Sequence, residues 1–177
     1  MINLLFCGND RMYDGVLISL LSILKYTDET LNIYILTADF RDINENFIPF
    51  SKSQVKKIEG VIKEKNKENK VSLIDITQMY KEEMPETINI DTSYTPYIFL
   101  RLFVDKISEL PSKLLYLDTD VVCYKNIKEL YDVDISKYEF AASKDYLGQW
   151  FIDYKYLNSG VLLMNLDNIQ IGRASCR

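Results

Sequence analysis

Three short apolar runs alternate with two helical patterns in the first 76 residues, and few folds accommodate that alternation. Ile2 to Cys7 is a continuous apolar strand that ends in the polar turn Gly8-Asn9-Asp10. Val16, Leu17, Leu20, Leu21 and Leu24 then recur at helical spacing and predict an amphipathic helix from Asp14 to Lys25. Asn32 to Thr37 and Val71 to Ile76 read as the second and third strands. Between them, Ser51 with Gln54 has the form of a capping box and opens a helix whose outer face is dense in Lys and Glu. The mixed-charge run Lys63 to Lys70 reads as the solvated end of that helix and its turn rather than a binding patch. The pattern predicts an α/β fold: a doubly wound, mostly parallel sheet with helices on both faces.

The second half continues the scheme. Pro96 suits the first turn of a helix running through Phe99, Leu102 and Phe103. A turn at Leu110-Pro111 precedes a strand from Lys113 to Leu117, which stops at Asp118-Thr119-Asp120. A short helix around Ile127 to Tyr131 follows, then strands at Phe140 to Ser143 and Val161 to Asn165. The last residues look foreign: lysine outnumbers arginine sixteen to three through residue 172, yet Arg173 and Arg177 fall close together at the end. Ile171 to Arg177 is therefore expected to be a non-native or truncation tail, and residues 1–170 the folded unit.

Composition removes several kinds of chemistry. The chain has 177 residues and no histidine, which excludes histidine triads, histidine metal sites and histidine acid–base catalysis within it. Cys7, Cys123 and Cys176 are far apart and form no C-x-x-C pair, so neither a zinc knuckle nor a disulfide framework is expected. A net charge of −5 argues against nucleic acid as a partner. No apolar run approaches the roughly 18 residues of a membrane span. The N-terminus lacks the basic flank and cleavage site of a signal peptide, and the expected location is cytoplasmic.

The densest chemical signal is Leu114-Leu115-Tyr116-Leu117-Asp118-Thr119-Asp120-Val121-Val122, a buried strand with two carboxylates where it emerges. Ligands of open α/β sheets bind at the carboxyl ends of the strands. Residues two apart in extended backbone point to the same side, so Asp118 and Asp120 can converge on one hard cation. A turn carrying two solvated acids is the plainer alternative. Two enzyme classes place such a D-x-D after a strand. Phosphatases of the haloacid-dehalogenase type would use Asp118 as nucleophile, but their strand comes early in the domain. Nucleotide-sugar glycosyltransferases of the GT-A type place it after several strand–helix units, as here.

Phe6-Cys7-Gly8-Asn9-Asp10 with Tyr13, Tyr97 through Arg101-Leu102, Leu110-Pro111, Leu115 through Asp120, and Tyr156-Leu157-Asn158-Ser159-Gly160-Val161 occur in one order along the chain. Together they resemble a family 8 glycosyltransferase, a retaining family that includes lipopolysaccharide galactosyl- and glucosyltransferases. The resemblance covers about residues 1 to 168 and implies a GT-A fold. It implies transfer of glucose or galactose from a UDP-sugar to the hydroxyl of a saccharide acceptor, such as lipopolysaccharide or another surface glycan. Asp118 and Asp120 would bind Mn2+ or Mg2+. Cys7, Gly8, Asn9 and Tyr13, with Arg101 and Thr119, would contact the UDP-sugar, and Arg101, Asp118, Asp120 and Asn158 would form the catalytic set.

Each of these residues has a plainer role: Tyr13 on a core face, Arg101 in a structural ion pair, Asn158-Ser159-Gly160 as a turn before the strand. Trp150, Phe151, Tyr154 and Tyr156 could face an acceptor or pack within a surface loop. The family's C-terminal H-x-x-G-x-x-K-P-W element and D-Q-D segment do not occur in this sequence. Residues 1–170 are accordingly expected to be incomplete at their C-terminal side and weakly active or inactive alone. Membrane contact would come only through that missing part, a homo-oligomer stays open, and a non-catalytic nucleotide-sugar-binding module is the third reading.

Overall fold

The computed structural model describes residues 1–84 and 95–175, with the side chains of 173–175 left aside. Six strands form one sheet in the order β3-β2-β1-β4-β6-β5. They are β1 (Ile2–Cys7), β2 (Leu31–Thr37), β3 (Lys70–Asp75), β4 (Lys113–Leu117), β5 (Phe140–Lys144) and β6 (Leu157–Asn165). β1 to β4 are parallel neighbours in that order of pairing, whereas β6 runs antiparallel to both β4 and β5. The sheet is therefore mostly parallel, with an antiparallel half. β4 meets β1 only at the pairs Leu4–Leu115 and Leu5–Tyr116, while β1 and β2 pair along their whole length.

Strand alternation sorts the core onto two faces. Leu4 and Phe6 of β1 and Leu115 and Leu117 of β4 pack with helix α1 (Tyr13–Leu24) and helix α2 (Lys52–Lys65). Leu5 and Cys7, with Leu114 and Tyr116, pack on the other face. There they meet helix α3 (Thr77–Glu83), the 3-10 helix Pro96–Lys106 and the start of helix α6 (Leu166–Ser175). Short helices α4 (Lys128–Tyr131) and α5 (Gly148–Phe151) lie between β4 and β6 in sequence.

The capping box at Ser51 and Gln54 forms as expected, with Ser51 Oγ accepting from Gln54 N–H at 3.2 Å and Gln54 Oε1 from Ser51 N–H at 2.9 Å. The Lys63–Lys70 stretch is a helix end and turn, and its Lys65 pairs with Asp28 at 2.8 Å. That turn hides Asn69, which is fully buried. Its amide donates to Ile62 O at 2.9 Å and accepts from Leu31 N–H at 2.8 Å, tying the end of α2 to the start of β2.

Four expectations change. The helix at Pro96 is a 3-10 helix, which fits its buried Tyr97, Leu100 and Phe103 three residues apart. Asn158-Ser159-Gly160 is not a turn before a strand. Cross-strand pairing with β5 already begins at Leu157, so these residues lie inside β6. Helix α3 was not anticipated. Helix α6, from Leu166 to Ser175, was not anticipated either, and Cys176 and Arg177 lie outside the described residues.

Candidate functional site

From β1 the chain winds outward to β2 and β3, then returns to the opposite side of β1 as β4. This reversal is a switch point, and it opens a crevice outside the ends of β1 and β4. Because β6 is antiparallel to β4, its first residues reach the same edge, as does the end of β5. Four segments distant in sequence therefore converge: Cys7–Asp10, Asp118–Asp120, the residue after β5 (Asp145), and Asn158–Gly160.

Asp118 is held from several directions. Its backbone N–H donates to Gly160 O at 2.8 Å, and its carboxylate accepts the Tyr116 hydroxyl. Burial, followed by the nearby Cys7 and the carboxylate itself, pushes the Tyr116 phenol well above its ordinary range, so it remains a donor at neutral pH. Arg101 lies over the Tyr116 ring with Cζ 5.2 Å from its centroid. Its Nη1 donates to Ser159 O at 3.1 Å and to the Tyr116 hydroxyl at 3.3 Å, and stands 3.7 Å from Asp118 Oδ1. Arg101 thus ties the 3-10 helix to both β4 and β6, with a looser ion pair to Asp118 than a direct fork would give.

Of the recesses beside the D-x-D turn, two are bordered by both of its carboxylates. One, of about 190 Å³, lies between Cys7, Met12, Tyr97 and Tyr116 and is bordered by Asp118, Thr119 and Asp120. The other, of about 280 Å³, joins Asp118 and Asp120 to Asp145, Asn158 and Gly160. Both carboxylates border both recesses. Among the described residues no third His, Cys, Asp or Glu completes a metal-binding group with them. Two hard oxygen ligands, with the remaining positions open to phosphate oxygens, nevertheless match how Mg2+ and similar ions bind alongside phosphorylated substrates. The residues present fit such an ion.

Of the residues expected to hold a nucleotide, Cys7 borders the smaller recess, and burial pushes its thiol up, so it serves as an uncharged wall. Gly8 is buried beneath Met12, whose Sδ would lie 2.4 Å from a Cβ at that glycine. Asn9 is 4% exposed, and its Oδ1 has no hydrogen-bond partner among the described residues. Tyr13 points away from this recess. It packs on Phe50, ring centroids 6.4 Å apart, beside the α1–α2 core. The side chain that reaches the recess is Met12, one residue earlier, at the end of the 3-10 turn Asp10–Met12.

Asn158 is tethered on both sides. Its Oδ1 accepts from Gly160 N–H at 2.9 Å, and its Nδ2 donates to Asp145 Oδ2 at 3.3 Å. Asp145 Oδ1 in turn accepts from Gly148 N–H at 2.6 Å. A Cβ at Gly160 would lie 2.9 Å from Asp118 Oδ2, so the absence of a side chain there leaves room for that carboxylate. Sequence reading missed Met12, Tyr116 and Asp145. Tyr116 was legible as the residue two before Asp118 and so on its face, whereas Asp145 carries no local signal. Trp150, Phe151 and Tyr154 are 66–83% exposed, so they do not pack within their loop.

The model of the glycosyl transferase family 8 matches residues 3–171. The chain belongs to this family. A putative glycosyltransferase of Haemophilus influenzae is 26% identical over 179 residues, covering 93% of this chain and 48% of its own length. The glycosyltransferase GlyA of Streptococcus pneumoniae is 42% identical over 76 residues, which are 42% of this chain and 10% of that protein. Among solved structures, the galactosyltransferase LgtC, in complex with donor and acceptor sugar analogues, superposes with a TM-score of 0.76 at 19% identity. That match covers 96% of this chain and 60% of LgtC. The Streptococcus pneumoniae glycosyltransferase GlyE gives a TM-score of 0.66 at 20% identity, covering 98% of this chain and 36% of its own. The sheet is thus that of the GT-A fold, and the chain spans about half the length of the Haemophilus relative. The family assignment disposes of the phosphatase reading of Asp118.

Proposed function

We propose that this chain supplies the nucleotide-sugar side of a hexosyltransferase that moves glucose or galactose from a UDP-sugar to a saccharide hydroxyl with retained configuration. The observation that carries the reading is the D-x-D turn at the β1–β4 switch point, bordered on both sides by recesses. The uridine would enter the recess walled by Cys7, Met12 and Tyr97. The sugar would lie toward Asp145 and Asn158, whose side chains already hold one another. Family membership supports the donor class and retention.

Asp118 and Asp120 would hold Mn2+ or Mg2+ together with diphosphate oxygens. Such an ion supplies positive charge against the negative charge that develops on the departing UDP. Tyr116 and Arg101 orient Asp118: the phenol donates to one carboxylate oxygen, and the guanidinium fixes the phenol and Ser159. Arg101 carries more N–H donors than these contacts use, which leaves donors for a diphosphate or sugar oxygen. The acceptor, a lipopolysaccharide or other surface glycan, and a cytoplasmic setting are part of this proposal. Among the described residues no helix is long and apolar enough to cross a membrane.

Calorimetric titration of UDP, UDP-glucose and UDP-galactose into the protein tests the reading. Binding is expected with Mn2+ or Mg2+ and is expected to vanish in chelator. Equal binding in chelator would remove the metal role, and absence of UDP binding under every condition would remove the donor site. Donor binding without sugar transfer to any glycan acceptor would mark the chain as a binding module.

A further inference from the structure

We infer that Gly15 is a positioning residue for the D-x-D turn: lacking a side chain, it lets helix α1 approach the Thr119 carbonyl and so sets where Asp118 and Asp120 stand. A Cβ placed on Gly15 would lie 2.5 Å from Thr119 O and 3.3 Å from both the carbonyl carbon and Cβ of Thr119. Real contacts of that kind stay beyond 3.0 Å. The atom met is backbone, so no side-chain rotation relieves the overlap. Either the helix or the turn has to move.

The helix is the better anchored of the two. Val16, Leu20 and Ile23 are essentially fully buried, and Ser22 Oγ accepts from Cys123 N–H at 2.9 Å, beyond the turn. Thr119 is half-buried and Asp120 exposed, so the turn is what yields. On the opposite side a Cβ at Gly160 would lie 2.9 Å from Asp118 Oδ2, so glycine there leaves room for the carboxylate. The turn is held between two missing side chains, one facing its backbone and one facing its carboxylate.

Backbone conformation gives no separate reason for glycine at this position, since no glycine among the described residues has a positive φ. Inside a helix glycine costs about 0.5–1 kcal/mol relative to alanine. Gly60 of α2 provides the internal comparison, with nothing within 4 Å of a Cβ placed there. Alanine at position 60 gains helix propensity at no steric cost. At position 15 the same gain comes with displacement of the turn.

The consequence for ligand binding rests on the donor-site reading above; the displacement itself does not. Crystal structures of wild type, Gly15→Ala and Gly60→Ala, with Mn2+ binding followed by EPR in the presence of UDP, test both. Gly15→Ala is expected to keep its circular dichroism and to shift Thr119 and Asp120 beyond coordinate error. It should also bind Mn2+–UDP about tenfold or more weakly, with an altered EPR signature of the bound ion. Gly60→Ala should leave turn, affinity and spectrum unchanged. An unmoved turn in Gly15→Ala, or loss of the folded state in that variant, overturns the inference. A displaced turn in a protein whose wild type binds neither UDP nor Mn2+ upholds the positioning role and removes the donor-site reading instead.

Discussion

Replacing Asp120 with Asn is expected to weaken Mn2+-dependent UDP binding by at least about tenfold, roughly 1.4 kcal/mol, while leaving the unfolding midpoint where it was. The two halves of that result come from the same geometry. Asp120 is exposed at the tip of the turn and borders both recesses, so its charge serves whatever occupies them rather than the fold. Asp118→Asn should cost at least as much in binding and should also lower stability. Its carboxylate receives the Tyr116 hydroxyl and faces the Arg101 guanidinium, and an amide keeps the first contact while losing the charge that balances the second. A hydrogen bond to a charged group contributes about 1.5–3 kcal/mol, more than one to a neutral amide. Where sugar transfer is measured, losing charge stabilisation of the leaving group should lower the rate by about 10²–10³. Calorimetry and denaturant melts on the two variants separate these effects. Wild-type affinity in Asp120→Asn would show that Asp120 is not a ligand.

The second large effect lies far from the site. Asn69→Ala should lower the free energy of unfolding by about 2–4 kcal/mol, because it leaves both the Leu31 N–H and the Ile62 carbonyl buried without their partner. Urea titration should show a lower midpoint at unchanged slope. UDP affinity should stay as in wild type, since Asn69 lies past the end of α2, at the start of β3, and the nucleotide recess opens beyond the other end of the sheet. A loss below about 0.5 kcal/mol would mean that water replaces both bonds there.

Much of this architecture was legible in the residues. Apolar runs gave the strands β1, β2 and β4, and the Ser51–Gln54 pair marked the start of α2, because these signals are local. The D-x-D was legible for the same reason: two acids end an apolar strand. What the chain order hid were relations across the sheet. Asp145 meets Asn158 only because β6 turns back antiparallel beside β4, and no spacing along the sequence encodes that reversal. Met12 borders the recess and its neighbour Tyr13 does not, because one short 3-10 turn decides which of the two faces the crevice. The helix at Pro96 was expected to run through Phe99, Leu102 and Phe103, whereas the residues it buries include Tyr97, Leu100 and Phe103, at every third position.

The sparse pairing between β1 and β4 has a dynamic consequence. β3-β2-β1 and the β4–β6 pair are each zipped along their length and β5 joins β6 across a register break between Ala142 and Lys144, while the junction between the two halves closes at Leu4–Leu115 and Leu5–Tyr116. Amide protection should therefore be lower along this seam than between β1 and β2, and the sheet has a natural line for sub-global opening. The crevice sits at the end of that line, so a ligand touching Cys7 on one half and Asp118 on the other would act as a clasp. Its binding would be felt as slower hydrogen exchange through the middle of the molecule, well away from any atom it contacts.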